Sequence, residues 1–100
     1  MEDDDCERIA LVGKAISDPC RVGILLNFRG RTLTISDITE ELGTYQSNVS
    51  YHMAILSKAG LVTRIDDGRW HRYSVNLDIG DELRSFIQKC GQKQLANSFE

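Results

Sequence analysis

Residues Ser36 to Leu61 constrain the fold more than any other part of the chain. Ile38 and Leu42 are one helical turn apart, and Val49, Met53 and Leu56 repeat the same period further on. That spacing puts each set on one helix face. Gly43 separates the two runs, where a tight turn needs left-handed backbone angles, and Gly60 follows the second run as its closing glycine. The stretch therefore reads as a helix-turn-helix. The polar remainder of the second helix is Gln46, Ser47, Asn48, Ser50, Tyr51 and His52. These are hydrogen-bonding groups of little charge, suited to base edges in a major groove.

The flanking segments complete one domain over residues 1–100. Residues 1–5 form an acidic start, read as a disordered tail. Cys6, Ile9, Val12 and Ile16 make a helical stripe, so a first helix is expected over Cys6 to Ile16. Asp18 is a good N-cap and Pro19 a good first residue for a second helix to about Asn27, burying Val22, Ile24, Leu25 and part of Leu26 and Phe28. Thr32 to Ile35 reads as a small edge strand, and Ser36 as the N-cap of the next helix. Leu61 to Ile65 alternates as a strand, Asp66-Asp67-Gly68-Arg69 is a hairpin turn, and Trp70 to Val75 returns. A hairpin behind a reading helix is a wing. It carries Arg69 at its tip and Arg64 and Arg72 on its strands, within reach of phosphates. A last helix is expected from Ile79 to Asn97, with Leu83, Phe86, Ile87, Cys90 and Leu95 as its apolar stripe.

The expected fold is mainly α with a small β-hairpin wing, a winged helix-turn-helix in the order α-α-β-α-α-β-β-α. Three central helices already supply the core. The amphipathic helices at the two ends are surplus to it, which points to a homodimer with those helices buried between protomers.

Composition narrows the function. No apolar run approaches the roughly 20 residues that a membrane span needs, and the acidic start is no signal peptide, so the expected location is the cytoplasm with no membrane contact. Net charge is -3, which speaks mildly against a nucleic-acid binder. From Arg29 to Tyr73, however, basic residues slightly outnumber acidic ones. The phosphate attraction then comes from a few placed side chains.

At this point the chain resembles the ArsR/SmtB family of winged helix-turn-helix repressors. The resemblance rests on A-I-S-D-P-C-R-V-G-I-L-L (15–26), I-S-D-I-T-E-E-L-G (35–43), Y-Q-S-N-V-S-Y-H-M-A-I-L-S-K-A-G-L-V (45–62) and D-G-R-W-H-R-Y (67–73). It implies a dimeric transcriptional repressor, not an enzyme, that binds an imperfect palindrome in double-stranded DNA and is released by metal, metalloid or thiol chemistry. It also implies that Gln46, Ser47 and Ser50 face DNA. The family usually has serine where this chain has Tyr45. Either Thr44 takes over as cap, or the helix start shifts by one residue, and both join the expected DNA-binding set.

The family's usual sensor is absent. The helix before the reading helix contains D-I-T-E-E-L without a thiol, and the last helix has no histidine. Asp78, Asp81 and Glu82 near its start do not suit zinc or nickel, so no metal site is assigned. His52 and His71 lie in the reading unit. The cysteines leave two readings open. Cys6 and Cys90 are either small buried hydrophobes or a pair that meets, within or across protomers, to form a disulfide or bind a thiophilic ion such as arsenite. Cys20 is either a cap-region residue or a thiol activated by the helix N-terminus with help from Arg21, against Asp18. A winged helix that docks a protein and binds no DNA is the alternative function. A thiol enzyme lacks any nucleophile motif.

Overall fold

The computed structural model describes residues 3–92. Helices α1 (Asp3–Ala15), α2 (Pro19–Phe28), α3 (Ile35–Leu42) and α4 (Gln46–Lys58) come first. Strands β1 (Val62–Asp67) and β2 (Trp70–Val75) and helix α5 (Asp78–Gly91) follow.

Helix α1 begins at Asp3, three residues before the expected start. Its first turn begins Asp3-Asp4-Asp5. The expected disordered tail is thus helical from Asp3 onward. Helix α2 starts as expected. Asp18 is extended and accepts from the Cys20 backbone N–H at 2.8 Å, with Pro19 next. It ends on Arg29, in the left-handed region at φ 50°.

Helix α3 is capped by Thr34, not Ser36. The Thr34 hydroxyl accepts from the Asp37 N–H, and the Asp37 carboxylate accepts from the Thr34 N–H, both at 3.0 Å. This reciprocal box satisfies two otherwise orphaned donors. It draws residue 35 into the helix. The expected strand shrinks to one antiparallel bridge, Leu33 to Tyr73, with bonds of 2.9 and 2.8 Å. Gly43 ends α3 at φ 66° and Gly60 follows α4 at φ 78°, as the turns require.

The wing pairs Val62 with Val75 through to Asp67 with Trp70. The loop is therefore Gly68-Arg69, one residue later than expected. Gly68 has φ 61° and Arg69 is not in the positive-φ set, the backbone pattern of a II′ hairpin. Asn76 ties the wing to its neighbours. Its amide donates to the Gly60 carbonyl at 2.9 Å, and its carbonyl accepts from the Asp78 N–H at 3.1 Å at the start of α5. Helix α5 is described to Gly91, and Leu95 and Asn97 lie outside the described residues.

One core joins all elements. Phe28, Ile24, Ile38, Met53, Leu56, Val12 and Val49 are fully buried, each worth about 1.5–3 kcal/mol of transfer free energy. Leu33, Val62, Tyr73 and Ile79 extend the core to the wing and α5. Two expected core residues are not in it: Val22 is 38% exposed and Leu26 71%. Helix α2 meets the core on the Ile24–Phe28 face, and these two lie off that face.

Candidate nucleic-acid interface

Helix α4 is exposed along its N-terminal turns and again at Ala54, Ser57 and Lys58. Gln46, Ser47, Asn48 and Tyr51 are exposed, Ser50 is half-buried, and Val49, Met53 and Leu56 pin the opposite face to the core. Of the expected reading residues on this helix, His52 is half-buried like Ser50 and set against α2. Tyr45 is the N-cap residue, extended and 78% exposed, and makes no side-chain cap bond. Thr44 does not replace it, because its hydroxyl accepts from the Asn48 side-chain amide at 3.3 Å. The helix start does not shift either: Tyr45 keeps the N-cap position without a side-chain bond, so neither expected alternative holds. The first-turn N–H groups of α4 carry no side-chain partner, and such a helix terminus favours an anion.

Behind this surface lies a feature that the sequence did not disclose. Arg21 is 7% exposed, the one buried charged residue among those described. Its guanidinium donates to the Ala15 carbonyl at 2.6 Å and the Lys14 carbonyl at 3.3 Å. It lies 3.5 Å from the Asp18 carboxylate and 3.2 Å from Nδ1 of His52 on α4. Arg21 was expected to act on the Cys20 thiol, but it turns inward to the end of α1 instead. The carbonyls in the last turn of α1 have no intrahelical donors, and a guanidinium fits them. The Asp18 carboxyl is held below its usual range, first by the Cys20 backbone N–H and then by the charge of Arg21.

The wing is less cationic than its arginines suggest. Arg64 donates to Asp66 at 2.9 Å, and His71 lies 2.8 Å from the same Asp66 oxygen. A carboxylate only accepts, so His71 Nδ1–H donates to Asp66, while Arg64 Nη2 lies 3.0 Å from Nδ1 and 3.1 Å from Nε2 of the same ring. Arg64 and Asp66 share a face by strand alternation, and register sets His71 opposite Asp66. The Arg64 hydrogen bond, followed by that of His71, holds the Asp66 carboxyl below its usual range, and Asp66 in turn raises Arg64. Arg72 lies 4.0 Å from Asp67. Arg69, at the tip, makes no ion pair among the described residues.

Cys6, Cys20 and Cys90 are all free and exposed. The expectation that Cys6 and Cys90 are buried hydrophobes does not hold within one chain. Their stripes reach the core only at Val12 on α1 and near Ile79 and Leu83 on α5. No three His, Cys, Asp or Glu residues among those described cluster as a metal site. Cys20 lines a cavity of about 290 Å³ with Gly23, Ile24, Leu42, Thr44, Asn48, Val49 and His52. No helix among the described residues is long and apolar enough to cross a membrane.

Comparison with known proteins places this architecture. Residues 18–64 match the family described as "Bacterial regulatory protein, arsR family". The chain is 34% identical over 86 residues to the arsenical resistance operon repressor of Bacillus subtilis, covering 79% of this chain and 81% of that protein. It is 35% identical over 82 residues to the transcriptional repressor SdpR of the same organism, covering 78% and 91%. Among solved structures, an ArsR-like transcriptional regulator from Rhodococcus sp. RHA1 superposes with a TM-score of 0.80 at 23% identity, covering 91% of this chain and 84% of that one. The transcriptional repressor PagR of Bacillus anthracis gives a TM-score of 0.71 at 23% identity, covering 86% and 99%. A winged helix-turn-helix with these relatives is a DNA-binding transcriptional regulator and not an enzyme, and the chain belongs to the arsR family of bacterial regulatory proteins.

Proposed function

We propose that this regulator is a cytoplasmic homodimeric repressor that reads an imperfect palindrome and is released through thiol chemistry. The observation that carries the DNA reading is α4 itself. Its N-terminal turns carry exposed polar side chains and are uncapped by side chains. Gln46, Ser47, Asn48, Ser50 and Tyr51 face base edges, and the α4 N-terminus, Thr44, Tyr45, Arg64, Arg69 and Arg72 face the backbone. Two such helices related by a twofold axis enter major grooves about one helical turn apart.

Dimerisation is supported by the apolar surface left open at the ends of the chain. Leu77 is 82% exposed and Ile87 62%. A cavity of about 340 Å³ opens between α1 and α5, with Ile9 and Phe86 in its lining. Thiol control is supported by three exposed thiols, one of them beside the reading helix. Arsenite or another thiophilic ion fits as the trigger.

The test is a fluorescence-anisotropy titration of labelled DNA from the chain's own upstream region, across salt concentrations. It is run reduced, oxidised and with arsenite. Salt-sensitive binding that weakens on oxidation or with arsenite is expected. No binding at low salt assigns the fold to protein docking instead, and coincident curves remove thiol control.

A further inference from the structure

Buried charge at the back of a reading helix needs a reason. Arg21 is taken from solvent at a cost, and three carbonyl or carboxylate contacts satisfy much of it. Its remaining contact reaches across to α4. Nη1 lies 3.2 Å from His52 Nδ1. A guanidinium offers only donors, so Nδ1 must accept. In a neutral imidazole the ring hydrogen then sits on Nε2. Nε2 points away from Arg21, has no hydrogen-bond partner among the described residues, and is not among buried unsatisfied atoms. It therefore reaches solvent as an oriented donor. The Tyr51 ring packs edge-on to the His52 ring, with centroids 5.2 Å apart at 66°.

We propose that Arg21 is a positioning residue for DNA binding, which locks His52 in the tautomer whose Nε2–H donates to a DNA phosphate. The proposal rests on α4 being the DNA-facing helix. A phosphate fits better than a base. His52 is half-buried, set back from the exposed Gln46, Ser47 and Tyr51 that would reach the groove floor. Its neighbours across the local cavity, Thr44 and Asn48, lie at the start of α4. Anchoring Arg21 on the Ala15 and Lys14 carbonyls also makes the end of α1 the fixed reference for the reading helix.

Two measurements test this on the full chain. Long-range proton–nitrogen spectra of histidine-labelled free protein read the His52 tautomer directly, with a His71→Asn variant making the assignment. The Nε2–H form is expected in the parent, with tautomer averaging in Arg21→Met. Hydrogen on Nδ1 in the parent overturns the proposal. Binding is then measured on the upstream duplex and a scrambled duplex. His52→Ala is expected to weaken both about tenfold for each reading helix engaged, as loss of one phosphate bond requires. Arg21→Met is expected to do the same, with no further loss in the double variant. Additive losses, or unchanged binding by a folded His52→Ala, overturn it. Arg21→Lys, which keeps a donor, restores part of the affinity and guards against a variant that fails to fold. A parent chain that binds neither duplex overturns the DNA function and this proposal together, whereas the wrong tautomer overturns this proposal alone.

Discussion

At the scale of single residues, caps and buried polar contacts decide where helices begin. Thr34 and Asp37 show how. Asp37→Ala removes one half of the capping box and is expected to lower stability by about 1 kcal/mol in denaturant titrations. The Asp37 carboxyl is lowered from the usual 3.8, first by the Thr34 backbone N–H. A lowered folded value means that the ionised group stabilises the fold above about pH 3.8, and that this contribution is lost as pH falls through the folded value. The difference between parent and variant should thus be constant above about pH 4.5 and shrink below it, as acid-unfolding curves would record. The sequence read Ser36 as the cap because serine before an acidic turn is a common start. Thr34 won because Asp37 can return a bond to its backbone. Asp18, followed by Pro19, left no such ambiguity and was read correctly. Arg21 was expected only to help activate the Cys20 thiol, since nothing in its local spacing says that carbonyls of a preceding helix will surround it.

Among elements, the wing shows strand alternation acting on electrostatics. Arg64, Asp66 and His71 were legible as neighbours once the register was known, yet a shift of one residue in the hairpin loop hides the pairing. Asp66 partly neutralises the arginine that would otherwise meet DNA. Asp66→Asn should therefore tighten DNA binding at low salt by about threefold, within the range of an exposed ion pair, and the gain should fade as salt rises. Weaker binding by this variant in the same anisotropy assay would show instead that Asp66 aims Arg64. Gly68 holds the loop at φ 61°. Gly68→Ala is expected to cost about 1 kcal/mol from left-handed strain, seen as a lower midpoint in thermal unfolding.

The whole molecule is elongated, 58 × 27 × 25 Å with a radius of gyration of 16.8 Å. A compact chain of this length would have about 13 Å. Helices α1 and α5 are the first and last elements of the described residues. They touch each other through the Arg8–Glu82 ion pair at 2.8 Å and leave Ile87 outward. Such an unfilled apolar end suits a second copy. Ile87→Asp should raise the dimer dissociation constant at least about tenfold in sedimentation equilibrium, while circular dichroism stays unchanged. A parent chain that sediments as a monomer at micromolar concentration would remove the dimer from the function.

The sequence by itself determined the order of the five helices, the helix-turn-helix and the wing. Period, glycine punctuation and the Asp18-Pro19 start are local signals, and local signals survive without knowledge of contacts. It also picked out Gln46, Ser47, Asn48 and Tyr51 as exposed on α4, because a helix with one apolar face turns its polar residues away from the core. Only the tertiary structure decided which charges are spent on other residues of the same chain. Arg21 holds His52, Arg64 is held by Asp66 and His71, and the three cysteines are free and exposed. Those outcomes depend on pairs distant in sequence, between helices or across a register. Electrostatics and hydrogen bonding act over a few ångströms of space, whatever the distance along the chain.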